Sequence, residues 1–218
     1  MPALDLTSRE KIAITHSGVV EYELAWQQQR QLHTEVVSGV APNSLILLEH
    51  PSVYTAGRRT LEEERPSSDT VVIDVDRGGK ITWHGPGQLV GYPIIKLAKP
   101  TELVGFVREI ESGLIATCHE FGIAAIRIKG RSGVWVEDAK GARKLAAIGI
   151  RVAQGVTMHG FALNVCPDLS YFEAIIPCGI SDADVTSLSA ELGRTVTIEE
   201  VTPILERHIL DSLAKVSA

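Results

Sequence analysis

The stretch IAAIRIKGRSGVWVEDAKGARKLAAIGIRV, residues 123–152, decides the fold. Three apolar runs lie in it: IAAIRI at 123–128, GVWVE at 133–137 and KLAAIGIRV at 144–152. In the last, Ala146, Ile148, Ile150 and Val152 alternate with the residues between them, which is the period of a strand. The polar connections KGRS and DAKGAR are far too short to hold a helical crossover. The three strands must therefore be antiparallel neighbours, and a doubly wound parallel sheet is excluded.

Working outward, HGFALNV (159–165), LILLE (45–49) and VVIDV (71–75) read as further strands. Tyr22, Ala25, Trp26, Leu32, Val36 and Val37 mark an amphipathic helix over 22–37. Leu103, Val107, Ile110, Leu114, Ile115 and Phe121 mark a second over 101–121, started at Pro100-Thr101 and stopped by Gly122. Thr197-Ile198-Glu199-Glu200 is a capping box opening a last helix through Val201, Ile204, Leu205, Ile209 and Leu213. The segment 58–69 (RRTLEEERPSSD) reads as one exposed loop. No repeat, low-complexity tract or linker divides the chain, so the expectation is one α/β domain of the α+β type, with a mixed or antiparallel sheet, over residues 1–218.

The 218 residues are 44% hydrophobic and 22% charged, enough apolar material for a core without disulfide or metal staples. The N-terminal residues lack the basic-then-apolar pattern of an export signal, and no apolar run approaches the ~18 residues of a membrane helix, so a cytoplasmic protein is expected. A net charge of −6 disfavours nucleic acid as a partner. Within that acidic chain, Arg127, Lys129, Arg131, Lys140, Arg143, Lys144 and Arg151 face only Glu137 and Asp138 in their segment, which suggests a landing face for an acidic partner. Cys118, Cys166 and Cys178 form no C-x-x-C pair, so no zinc site and no disulfide framework is expected.

Chemistry concentrates in RGGKITWHGPGQLVGYP, 77–93. Its glycines allow backbone N–H groups to approach a ligand, but the spacing G-x-G-x-x-x-G and the missing βαβ unit argue against a dinucleotide loop. His84 and His159 each precede a glycine and could line one cleft. Lys144 heads an apolar strand, where beside a thiol its ammonium would hold the thiolate. Cys178, between Pro177 and Gly179, has room for attack on its sulfur and a backbone N–H nearby for an oxyanion. Cys118, inside the second helix, and Cys166, before Pro167, read as packing residues.

RGGKITWHGPGQ (77–88) resembles the signature of the lipoyl(octanoyl) transferases, as do LLEHPSVYTAG (47–57), KLAAIGIRV, MHGFALNV (158–165) and PCGI (177–180), all in the family's order. The resemblance covers about residues 20–205. It implies the fold of biotin and lipoate protein ligase catalytic domains: a larger mixed sheet and a small sheet flanked by helices. It implies transfer of an octanoyl group from octanoyl-acyl carrier protein to a lysine on lipoyl domains, namely the glycine-cleavage H protein and the E2 subunits of 2-oxoacid dehydrogenases, with no cofactor and no metal. Cys178 then matches the acyl-thioester nucleophile and Lys144 its activating partner. Arg77, Gly78, Gly79, Lys80, Ile81, Thr82, Trp83 and His84, with Ala146, Ala147, Ile148, His159, Gly160 and Phe161, match the walls of the acyl pocket. Alternatives are an ATP-dependent lipoate or biotin ligase relative, and a non-catalytic binder of lipoyl domains.

Overall fold

A computed structural model describes residues 12–66, 70–175 and 183–218. Cys178 lies outside the described residues. The elements run β1 (Ala13–Val19), α1 (Tyr22–Ser38), β2 (Ser44–Glu49), β3 (Val53–Ala56), β4 (Val72–Asp74), β5 (Thr82–His84), β6 (Gln88–Ile94) and α2 (Leu103–Glu120). They continue with β7 (Ile126–Ile128), β8 (Arg131–Asp138), β9 (Gly141–Ala153), β10 (Val156–Asn164), β11 (Asp184–Val185), α3 (Leu188–Leu192) and α4 (Ile198–Ala214).

An eight-stranded sheet has the order β1-β2-β6-β10-β9-β8-β7, with β11 beside β9. The β7-β8-β9 neighbours are antiparallel, as their short connections require. Among the described residues of this sheet, β1 on β2 and β11 on β9 are the parallel pairs, so the sheet is mixed. A three-stranded sheet, β4-β3-β5, stands apart from it. This is the larger and smaller sheet pair that the motif resemblance implies.

Strand alternation decides what each face of the large sheet buries. Leu45 and Leu47 of β2, Leu89 of β6, and Phe161 and Leu163 of β10 enter the main core, under Phe106, Ile110 and Leu114 of α2 and Val201, Leu205 and Ile209 of α4. The alternate residues Ile46, Leu48, Val90, Tyr92 and Ala162 form a second cluster with Ala25 of α1. Helices therefore cover both faces, and α1 shares its face with the small sheet and the site described below.

Three local expectations change. The strand foreseen over 123–128 starts only at Ile126, because Ile123 donates its N–H to the Cys118 carbonyl (3.1 Å) and Ala125 to Ile123 (2.8 Å) in the turn leaving α2. The segment 58–69 is not wholly exposed: Glu62–Glu64 form a 3-10 turn, and Glu64 is buried against Lys80. Nor does 127–151 present one positive face. Arg127 is held by Glu111 (3.0 Å), Arg143 by Asp138 and Glu191 (each 2.9 Å), and Arg151 by Asp76. The exposed Lys129 and Lys140 lie beyond opposite ends of β8, separated by about 25 Å of strand.

Glu111 of α2 has no exposed surface, yet it accepts from Arg108 (2.6 Å), Arg127 and the backbone N–H of Gly133 (3.1 Å). It pins the edge of the sheet to the helix layer, and a buried carboxylate is tolerated because both of its oxygens accept hydrogen bonds, two of them from guanidinium groups.

Candidate active site

A cavity of about 240 Å³ opens on the α1 face, between the large and small sheets. β9 and β10 supply Lys144, Ala147, Ile148, Gly149, His159, Gly160, Phe161 and Ala162. β6 adds Val90 and Tyr92, and the glycine-rich segment adds Arg77, Gly79, Lys80, Thr82 and His84.

Lys144 is 94% removed from solvent, and its Nζ stands 4.7 Å from the centre of the Trp135 ring on neighbouring β8. Among the described residues its ammonium has no carboxylate partner. The indole face offsets part of the cost of burying that charge. β11 returns the chain to this spot: Val185 pairs with Lys144, and Thr186 donates its N–H to the Lys144 carbonyl (2.9 Å).

A directional chain of side chains runs beneath the cavity. Asn164 Nδ2 donates to the Thr186 carbonyl (2.9 Å), so its Oδ1 accepts from Gln88 Nε2 (2.9 Å). Gln88 Oε1 must then accept from His84 Nδ1 (2.7 Å), which leaves His84 Nε2 without a proton. Burial pushes His84 down to about 3, reinforced by the nearby His50 ring. His50 is itself lowered by burial to about 4; it donates through Nδ1 to Val20 O (2.6 Å) and accepts from Tyr92 Oη through Nε2 (2.7 Å). Tyr22 stacks on His84, and burial raises its hydroxyl to about 12.

On the other side, His159 donates from Nε2 to Asp76 (2.7 Å), while burial lowers its pKa against that carboxylate's pull. Its backbone is left-handed (φ 59°), and its N–H is held by Gln29 Oε1 of α1 (2.9 Å). Arg77 is buried and spent on structure, donating to Thr55 O (2.8 Å), Thr55 Oγ1 (2.9 Å) and Lys80 O (2.8 Å). It ties the glycine-rich segment to β3.

Residues 21–210 match the model of the lipoyl protein ligase A/B catalytic domain. The octanoyltransferase of Salinispora tropica is 58% identical over 205 residues, spanning 93% of this chain and 96% of that one. The octanoyltransferase of Acidothermus cellulolyticus is 57% identical over 204 residues, spanning 93% and 92%. The chain belongs to the octanoyltransferase family. Among solved structures, the bipartite lipoate protein ligase of Thermoplasma acidophilum superposes with a TM-score of 0.68 at 15% identity, over 93% of this chain and 83% of that one. At that identity the likeness establishes the fold.

In this octanoyltransferase-family chain, the residues matched to the acyl pocket do not all reach it. Arg77, Gly79, Lys80, Thr82, His84, Lys144, Ala147, Ile148, His159, Gly160 and Phe161 line the one cavity. Ile81 and Trp83 point the other way, packing with Tyr54, Phe172 and Ile175. Ala146 faces the main core, and Gly78 instead donates its N–H to the Ile150 carbonyl (3.1 Å). Of the other thiols, Cys118 is buried and pushed up to about 12 by burial, which fits a packing role. Cys166 is exposed, so the packing expectation fails there: the turn after β10 leaves it facing solvent.

Sequence reasoning passed over Gln88, Asn164, Asp76 and Tyr22. Gln88 and Asn164 did carry a signal, being amide residues at the ends of apolar strands, where a buried polar group demands a partner. Among the described residues, no group of three or more His, Cys, Asp or Glu could hold a metal ion, and no helix is long and apolar enough to cross a membrane.

Proposed function

We propose that this chain transfers an octanoyl group from the thioester of acyl carrier protein to a lysine of a lipoyl domain, through an acyl thioester on Cys178. The observation that carries the reading is Lys144: a buried ammonium, without a carboxylate partner among the described residues, lining a cavity whose floor is apolar and small. Family membership supplies the acyl group, since relatives matching nearly the whole chain are named octanoyltransferases. The archaeal ligase of the same fold is described together with its E2 lipoyl domain, which supports the acceptor class.

In the first half-reaction the Cys178 thiolate attacks the donor carbonyl, the donor C–S bond breaks, and the departing carrier thiolate takes a proton from the Lys144 ammonium. In the second, the acceptor amine attacks the enzyme thioester, the new C–N bond replaces C–S, and Lys144 receives the amine's proton. Thioester exchange is nearly isoenergetic, so ATP has no part in it. Burying the chain at about 0.8 kcal/mol per CH₂ contributes roughly 5 kcal/mol to holding the donor. On this reading the reaction runs in the cytoplasm, with the glycine-cleavage H protein and 2-oxoacid dehydrogenase E2 subunits as acceptors.

Incubating the full chain with octanoyl-acyl carrier protein, without ATP, should add one octanoyl group to the intact mass. Cys178→Ala should abolish that adduct. An adduct that persists in Cys178→Ala would remove Cys178 as the nucleophile, absence of any adduct on the parent chain would refute the covalent step, and acyl transfer seen only with ATP would favour the ligase reading.

A further inference from the structure

Register across the large sheet gives the cavity floor a measurable length. Ala147 of β9 stands directly opposite Ala162 of β10, and Ala162 stands directly opposite Val90 of β6. All three line the cavity, and direct opposites in a ladder share a face. The next row pairs Gly149 with Gly160, which add no side chain, and reaches Tyr92 on β6. Around Ala147 and Ala162 the sheet therefore offers a trough with nothing larger than a methyl group.

The trough has two distinct ends. At the β9 end Ala147 adjoins Lys144, and the two also line a second, small cavity with Gln88 and Asn164. At the β6 end Val90 is backed by its own ladder partner Leu48, which is 97% buried in the cluster under Ala25 of α1 and does not line the cavity. From β9 to β6 is two strand spacings, about 10 Å. An extended eight-carbon acyl chain spans seven C–C bonds at ~1.3 Å projected each, or ~9 Å.

We propose that the acyl chain lies across the strands, from beside Lys144 over Ala147 and Ala162 to end against Val90, and that Ala162 and Val90 set its length. This rests on the octanoyl-transfer reading above. The ligand class is then a medium-chain acyl thioester, because a longer chain would meet Leu48.

The experiment measures kcat/KM for six-, eight- and ten-carbon acyl thioesters of the carrier protein with the full chain and two variants. Ala162→Val, which adds bulk midway, should move the optimum from eight carbons to six, with about tenfold or greater loss on the eight-carbon donor. Val90→Ala, which opens the far end, should raise the ten-carbon to eight-carbon ratio about tenfold. Ratios between donors are insensitive to the fraction of folded enzyme, and Val90→Ala tests the idea even if Ala162→Val fails to fold. Unchanged ratios would overturn the ruler. Absence of octanoyl transfer by the unsubstituted chain would instead overturn the reading beneath it.

Discussion

Lys144 keeps its ammonium against an indole rather than a carboxylate, and that choice matters for the chemistry assigned to it. A carboxylate partner would neutralise the charge that a neighbouring thiolate needs, whereas an aromatic face stabilises it and leaves the proton transferable. Lys144→Met keeps much of the side chain's length and the contact with Trp135 while removing charge and proton. We expect single-turnover acylation by octanoyl-acyl carrier protein to slow about 100-fold or more, with the melting temperature little changed. The remaining rate should climb with pH toward the ordinary thiol range near ~8.5, since the charge proposed to favour ionisation is gone. A variant with the parent's rate and pH profile would remove Lys144 from the proton path. Sequence reached this residue through the resemblance of KLAAIGIRV to the family's motif, since a lysine at a strand start is by itself ordinary. It could not reach Asp76 or Gln88, whose meaning lies in partners far along the chain: Asp76 bonds His159 83 positions away, and Gln88 bonds Asn164 76 positions away.

At the scale of elements, β10 is tightly constrained. His159 leaves the extended region, and the chain then presses so close to β6 that a Cβ on Gly160 would sit 1.9 Å from Gly91 O. Backbone cannot yield as a flexible side chain can, so Gly160→Ala should cost about 3 kcal/mol or more in denaturant unfolding. Gly193, past the end of α3 at φ 63°, has nothing within 4 Å of its would-be Cβ. Its change to Ala should cost only about 1 kcal/mol, the left-handed backbone alone. Equal losses at the two sites would mean that the approach of β10 to β6 is not what requires the glycine. The elements were largely legible, because their signals are local: helical periodicity for α1, α2 and α4, alternation for β9, and short connections for the β7-β8-β9 meander. Which face a strand turns to the site was less so. Thr82 and His84 line the cavity while Ile81 and Trp83 face away, a distinction fixed by where the small sheet docks rather than by the segment RGGKITWH itself.

For the whole molecule, buried polar groups rather than surface charge set the response to solution conditions. Part of the basic excess of 127–151 is offset by Glu111, Glu191 and Asp76, which lie near in space and outside the segment in sequence. A titrating weakness lies instead beneath the cavity, where His50 and His84 are held near 4 and 3 by burial, facing Tyr22, Tyr92 and Gln88. Protonating His50 would also abolish the acceptor that Tyr92 Oη uses. An unfolded imidazole binds its proton near pH ~6.5, so below that pH the unfolded chain takes up protons that the folded chain refuses. Stability should therefore be flat above pH ~7 and fall as the pH drops toward 4, by up to ~1.4 kcal/mol per unit for each ring. At pH 5 the two together would remove roughly 3–4 kcal/mol, a large share of the roughly 5–15 kcal/mol that stabilises a typical domain. Urea unfolding at pH 7.5 and pH 5 measures that difference directly. NMR resonances of the two rings should stay at their neutral positions throughout the interval while the protein remains folded. A flat stability profile, or either ring titrating near pH 6.5 in the folded state, would show that these histidines are hydrated and that the floor of the cavity is not the dry surface on which its apolar length depends.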